Sequence, residues 1–250
     1  KKKLNFNIDN FPKFKDKIIY LVIDKEPNNL IEEANVTDSI KRLNSIKRIE
    51  LSYDYMQNAI ENIAEDDLVI LSDNDEIPNL NSKQFQSCTR NVILFKQLFF
   101  YYKFNLHYDL MPWFGSKACK KKSLKSFSWL NNLKAKKYPF WRIDTYFSKN
   151  KLNNLEIIED GGWHFTNLKS PEDLFEKFKN FGHHDEFENS GISVEMLKNY
   201  IDQGIVFYNH FLDQKNPNKW KNNYSLKKID DHLLPKYLIE NKLKYKEWFK

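Results

Sequence analysis

A chain of 250 residues can bury one sizeable core, and 20 Phe, 13 Tyr and 6 Trp against only 6 Gly exclude a disordered or linker-rich chain. Its 40 basic and 34 acidic residues leave a net charge of +6, too mild an excess for a nucleic-acid footprint, so no nucleic-acid partner is expected. Two cysteines, Cys88 and Cys119, make no disulfide framework, and no apolar run approaches the roughly 20 residues of a membrane span, so a soluble chain with reduced thiols and no transmembrane segment is expected.

Phe11-Pro12 marks an early turn, and Ile18-Ile19-Tyr20-Leu21-Val22-Ile23 is a β-branched run that predicts a buried strand ending at Asp24. Ile40, Leu43 and Ile46 at helical spacing predict a helix capped by Thr37 or Asp38. Ser52 then caps a second helix, whose stripe of Tyr55, Met56, Ala59, Ile60 and Ile63 leads into the next strand.

That strand, Leu68-Val69-Ile70-Leu71, is the organising stretch. Four apolar residues between acids are too short for a free helix and read as a strand buried on both faces. Asp73, Asp75 and Glu76 follow at its end, before Ile77-Pro78. Carboxylates this close raise one another's pKa unless a cation lies between them. In an extended segment Asp73 and Asp75 point to the same side, which suits Mg²⁺ or Mn²⁺, ions that take one or two protein carboxylates and leave other positions for water and phosphates.

Further along, residues 92–102 predict a long aromatic-rich strand that supplies core. The lysines between Lys117 and Lys125 read as a solvated face or as a surface for an anionic partner. Trp113, Trp129 and Trp141 either stack on sugar rings or shield core edges. Residues 155–160 predict a strand that again ends in acids, and Gly161-Gly162 permits a sharp backbone path or a close ligand. Ser170-Pro171-Glu172-Asp173 opens a helix with Leu174, Phe175, Phe178 and Phe181 on its buried face, ended by Gly182 before His183-His184-Asp185-Glu186. Ser193 opens another helix that Gly204 closes, and Leu233 to Leu238 read as an apolar clamp with a short helix. The whole reads as one α/β domain over residues 1–250.

Four collinear pieces resemble glycosyltransferase family 17. They are Asp67 to Pro78, Gly161-Gly162-Trp163-His164-Phe165, Lys177 with Asn180 to Phe187, and Pro235-Lys236-Tyr237-Leu238. The resemblance implies a GT-A-like fold, a Rossmann-like mixed sheet flanked by helices, and a metal-dependent inverting transfer of N-acetylglucosamine or a related hexose. The donor is a nucleotide sugar, with a UDP-sugar favoured, and the acceptor a glycan hydroxyl. Members of the family carry a further strand and helix upstream, so the chain is expected to lack them, through truncation or with an altered donor site. A location in the cytoplasm, at the periphery of a membrane where glycans are assembled, is expected.

An inverting transfer needs charge neutralised on the departing diphosphate and a base for the attacking hydroxyl. Asp75 is the expected ligand of Mn²⁺ or Mg²⁺, with His164 and then His184 as further ligands, and Asp73 on donor ribose or metal-bound water. Asp160, at a strand end, is the first choice of base, with Glu76 second. Asp160 capping a turn, or Glu76 holding the acidic loop by accepting backbone N–H bonds, is the alternative reading. Lys177 is expected on the diphosphate, and Arg142 on phosphate or an acidic acceptor. A metal-dependent hydrolase and a catalytically silent glycan-binding module are the competing functions.

Overall fold

The computed structural model describes residues 6–32, 37–180, 187–188, 190–212, 216 and 218–250. The buried runs of the sequence meet in two main sheets. The first is four-stranded, in the order β1-β6-β3-β7, with β1 Leu68–Leu71, β3 Val92–Phe95, β6 Lys117–Lys120 and β7 Glu156–Ile158. The second is five-stranded, in the order β11-β5-β4-β8-β2, with β2 Glu76–Pro78, β4 Leu98–Tyr101, β5 Leu106–His107, β8 Gly162–Thr166 and β11 Lys227–Lys228. A two-stranded ribbon pairs β9 Ile205–Val206 with β10 Tyr224–Ser225.

Two of the chain paths that join the main sheets run side by side. β3 and β7 run parallel in the first sheet, and their continuations β4 and β8 run parallel in the second. Ile93 pairs with Glu156 before the crossing and Leu98 with Trp163 after it, so the β7–β8 path carries two extra residues. The glycines absorb them. A Cβ on Gly161 would lie 2.4 Å from the Lys96 backbone nitrogen, and one on Gly162, at φ +112°, 2.1 Å from the Ile77 carbonyl oxygen. The close approach foreseen there is made by backbone.

Helix α1 (Asp38–Ala59), with Thr37 as N-cap, packs Tyr53 and Met56, and the residues just after it pack Ile60 and Ile63, on one face of the first sheet beside Val69, Leu71 and Leu94. Helix α2 (Lys83–Gln86) brings Phe85 to the opposite face, against Phe95 and Ile158. Helix α3 (Phe127–Asn131) adds Leu130 to the first core, and α4 (Asp144–Phe147) lies on an exposed segment. Side chains alternate along β4 as the pleat requires. Phe99 and Tyr101 meet Leu174 and Phe178 of α5 (Pro171–Lys179) and Leu197 and Ile201 of α6 (Val194–Gln203), while Phe100 meets Phe165 and Leu238 of α7 (Lys236–Glu240) on the other side. The fold is mixed α/β, with parallel and antiparallel pairing in its sheets and helices against them.

Several expectations are corrected. Residues 18–23 form no strand, and all but the half-buried Ile18 lie exposed, with Ile19 at 68% and Val22 at 52%; among the described residues they have no ladder partner, and β propensity is realised only where backbone pairing is available. One 22-residue helix replaces the two expected, because Ser52 turns its hydroxyl back to the Ile49 carbonyl instead of capping a new start. The long aromatic strand breaks at Lys96-Gln97, where Gln97 bridges to Trp113. Lys117 is buried, its ammonium donating to the Asn131 and Leu133 carbonyls, and Lys120 and Lys122 pair with Asp66. Trp113 and Trp129 pack against core, whereas Trp141 is 67% exposed and shields none. Cys88 and Cys119 are free thiols, and among the described residues no helix is long and apolar enough to cross a membrane.

Candidate functional site

The acidic turn after β1 is tied down by its own third acid. The Glu76 N–H donates to the Asp73 carbonyl at 3.1 Å, and the Asp73 N–H donates back to Glu76 Oε2 at 3.1 Å. Trp113 Nε1 donates to Glu76 Oε1 at 2.6 Å, and the Ser116 hydroxyl stands 3.4 Å from Oε2. Glu76 is 7% exposed, and a buried carboxylate is tolerable when its oxygens are matched by donors. Gly115 makes the arrangement sterically possible, since a Cβ there would lie 1.5 Å from Glu76 Oε1. Glu76 thus takes the loop-holding position, with both oxygens engaged.

The antiparallel register of β2 on β8 sets Glu76 opposite His164, and the Phe165 N–H donates to the Asp75 carbonyl at 2.8 Å. Asp75 and His164, far apart in sequence, therefore meet: His164 Nε2 is 3.4 Å from Asp75 Oδ2. The imidazole is 5% exposed and lies between the rings of Trp113, at 4.3 Å, and Phe99, at 4.8 Å. Its Nδ1 has no hydrogen-bond partner. Burial pushes the Asp75 carboxyl up, but the hydrogen bond and charge of His164, a backbone N–H and the Lys177 ammonium outweigh it and hold the group below the usual carboxylate range. Asp73 moves the other way, raised by burial and by the Asp75 charge, with His164 offsetting part of the rise.

Two carboxylates with opposed shifts thus stand near one imidazole, of which Asp75 alone is in contact with it. Adjacent ligands on an octahedral ion, each at about 2.1 Å, stand about 3 Å apart, close to the observed Asp75–His164 separation. Among the described residues no group of three or more His, Cys, Asp or Glu is arranged around one point. Asp75 and His164 are a pair of donors at a cleft, not a complete metal centre.

Asp75 lines an open cleft of about 540 Å³ together with Asn74, Asn167, Lys169 and Lys177. Lys177 comes from the last turn of α5, which Ser170 caps and Pro171 opens. Its ammonium donates to Asn167 Oδ1 at 2.8 Å, and burial lowers its pKa, with Lys169 adding to the drop and Asp75 opposing it. One cleft therefore presents a carboxylate and two ammonium groups.

Of the residues singled out by sequence, Asp73, Asp75, Glu76, His164 and Lys177 come together here. Asp160 does not. It accepts from Asn79 Nδ2 at 2.9 Å, beyond the Pro78–Gly162 pair, at the opposite end of the β2–β8 ladder from Asp75. That contact ties the loop after β2 to the turn before β8. Arg142 is outside the cleft, on the exposed segment before α4, with its guanidinium held by Asp144 at 2.6 and 2.8 Å. His184 lies outside the described residues. Trp113 was singled out as an aromatic face and not as a donor to Glu76, and Gly115, Asn167 and Lys169 were not anticipated. Of these only Asn167 carried a local signal, an Asn directly after a strand, a residue type that tolerates the left-handed backbone it adopts at φ +57°.

The chain matches no protein-family model, no curated protein and no solved structure in comparisons with known proteins. What the site can do is read from its geometry.

Proposed function

We propose that the chain is a metal-dependent inverting glycosyltransferase of the GT-A type, similar to family 17, moving a hexose from a nucleoside-diphosphate sugar to a glycan hydroxyl. The observation that carries the reading is the shared cleft, in which Asp75, paired with His164, faces the same space as Lys177. A departing diphosphate needs counter-charge in a partly desolvated site, and fixed cations there act far more strongly than in water.

In this reading Asp75 and His164 hold Mn²⁺ or Mg²⁺, which when bound supplies Lewis-acid neutralisation of the diphosphate. Lys177 contributes a second positive charge, its position fixed by Asn167. Asp73, on the same turn, takes the donor ribose or a metal-bound water in this reading. Glu76 sets the direction of the two aspartates through its bonds to Trp113 and to the Asp73 N–H. Lys169, also in the cleft, adds to the positive field.

Calorimetric titration with UDP-, GDP- and dTDP-sugars, with and without Mn²⁺, tests the proposal. Metal-dependent binding of one donor, lost in Asp75→Ala, is expected. A folded protein that binds none of them with Mn²⁺ present would rule the transferase out and turn attention to glycan binding alone.

A further inference from the structure

A second cavity, of about 230 Å³, lies at the carboxyl ends of β4 and β8. We propose that it binds the ring of one uncharged sugar residue. The position is the first argument, because small ligands in α/β proteins collect beyond the carboxyl ends of parallel strands, and β4 and β8 are parallel neighbours.

The second argument is strain. Among the described residues only two non-glycine residues have positive φ, Tyr102 at +63° and Asn167 at +57°. Tyr102 directly follows β4, Asn167 directly follows β8, and both line this cavity. A tyrosine in the left-handed region is strained, and such residues gather where a ligand must be met.

The third argument is the chemistry of the wall. Tyr102, Phe178, Phe207 and Tyr208 supply flat apolar surface, and Thr166, Asn167, Lys177 and His210 supply polar atoms. A pyranose matches this division, with one face of C–H groups and a rim of hydroxyls. His210, bonded to the Tyr101 hydroxyl, is kept neutral by burial and by the charges of His164 and Lys219. The remaining polar groups of the wall, a hydroxyl, an amide and a neutral imidazole, suit ring hydroxyls, with the Lys177 ammonium at the edge shared with the Asp75 cleft. Pockets for drug-sized ligands run roughly 300–1,000 Å³, so this smaller volume suits a single ring.

Asn167 and Lys177 line both this cavity and the Asp75 cleft. The ring is therefore assigned to the acceptor, an assignment that rests on the transferase reading, whereas binding of a sugar ring does not.

Saturation-transfer NMR with methyl glycosides of N-acetylglucosamine, mannose, glucose and galactose, and with uridine, tests the site without metal. At least one glycoside is expected to bind and uridine is not. Tyr208→Ala and Thr166→Val, at positions that line this cavity and not the Asp75 cleft, should each weaken glycoside binding, the first roughly tenfold. UDP with Mn²⁺ should not displace it. No glycoside binding by folded protein, binding indifferent to both variants, or uptake of uridine instead would overturn the site. Displacement by a UDP-sugar but not by UDP would overturn the acceptor assignment and give the cavity to the donor sugar. Glycoside binding without any nucleotide-sugar binding would remove the transferase reading and leave this site standing.

Discussion

Trp113 holds Glu76 with its indole N–H at 2.6 Å while its ring stacks on His164 at 4.3 Å. One side chain thus fixes the acid that shapes the Asp73–Asp75 turn and the imidazole that faces Asp75. Trp113→Phe keeps the stack and removes the donor. It is expected to lower stability by about 1–3 kcal/mol, since a buried carboxylate loses a charge-assisted partner. Urea unfolding measures the loss, and a variant as stable as the parent would show that Glu76 does not need the indole.

Gly115→Ala attacks the same contact sterically. Its Cβ would occupy the space of Glu76 Oε1, so the turn must move or the Trp113 bond must break. A fall in Tm larger than that of Trp113→Phe is expected, together with weaker Mn²⁺ affinity. An unchanged Tm would mean that the turn relaxes freely and is not held by Glu76.

Asp73 and Asp75 should respond oppositely to neutralisation. The Asp73 carboxyl is raised in the folded state, so its contribution to stability is present below the unfolded carboxylate pKa and is lost as pH rises through the folded value. At neutral pH its charge is a burden. Asp73→Asn should therefore raise Tm while weakening donor binding, the trade expected of a site kept for function. Asp75 is lowered, so its contribution is present at neutral pH and lost as pH falls through its folded value, and Asp75→Asn should lower Tm. The opposite pair of Tm shifts would show that the two charges are not arranged as described.

His210 gives the protein an acid sensitivity above the carboxylate range. Burial, with the charges of His164 and Lys219, lowers its pKa from 6.5 to about 4. The unfolded chain therefore binds the proton first, and stability falls as pH drops from about 6.5 towards 4, by on the order of 3 kcal/mol. Urea midpoints across that range should fall in the parent and flatten in His210→Gln. An equal slope in both would assign the effect to other groups.

The sequence displayed the acidic stretch clearly, because a short apolar run between acids has few other readings, but the strand stops at Leu71 and a turn carries Asp73 to Asp75, so the same-side argument from an extended segment does not apply to them. The caps at Thr37, Ser170 and Ser193 were equally legible, being local hydrogen bonds. Long-range pairings were not. Nothing near Trp113 announces a bond to Glu76 across 37 residues, and the placing of His164 against Asp75 depends on the register of β2 on β8. The glycine pair was visible as a break, but the backbone it accommodates, at Lys96 and Ile77, was not. Residues 18–23 mislead for a related reason, since their composition states a preference for pairing without supplying the partner.

The central claim is that Asp75 and His164 together hold a divalent ion that a nucleoside diphosphate completes. Pulsed electron paramagnetic resonance of Mn²⁺ with the protein and UDP tests it most directly. The account predicts bound Mn²⁺ with a nitrogen coupling from His164, abolished in His164→Leu, and loss of binding in Asp75→Asn. Mn²⁺ that stays free beside folded protein and UDP, or that binds equally well to Asp75→Asn, would contradict it.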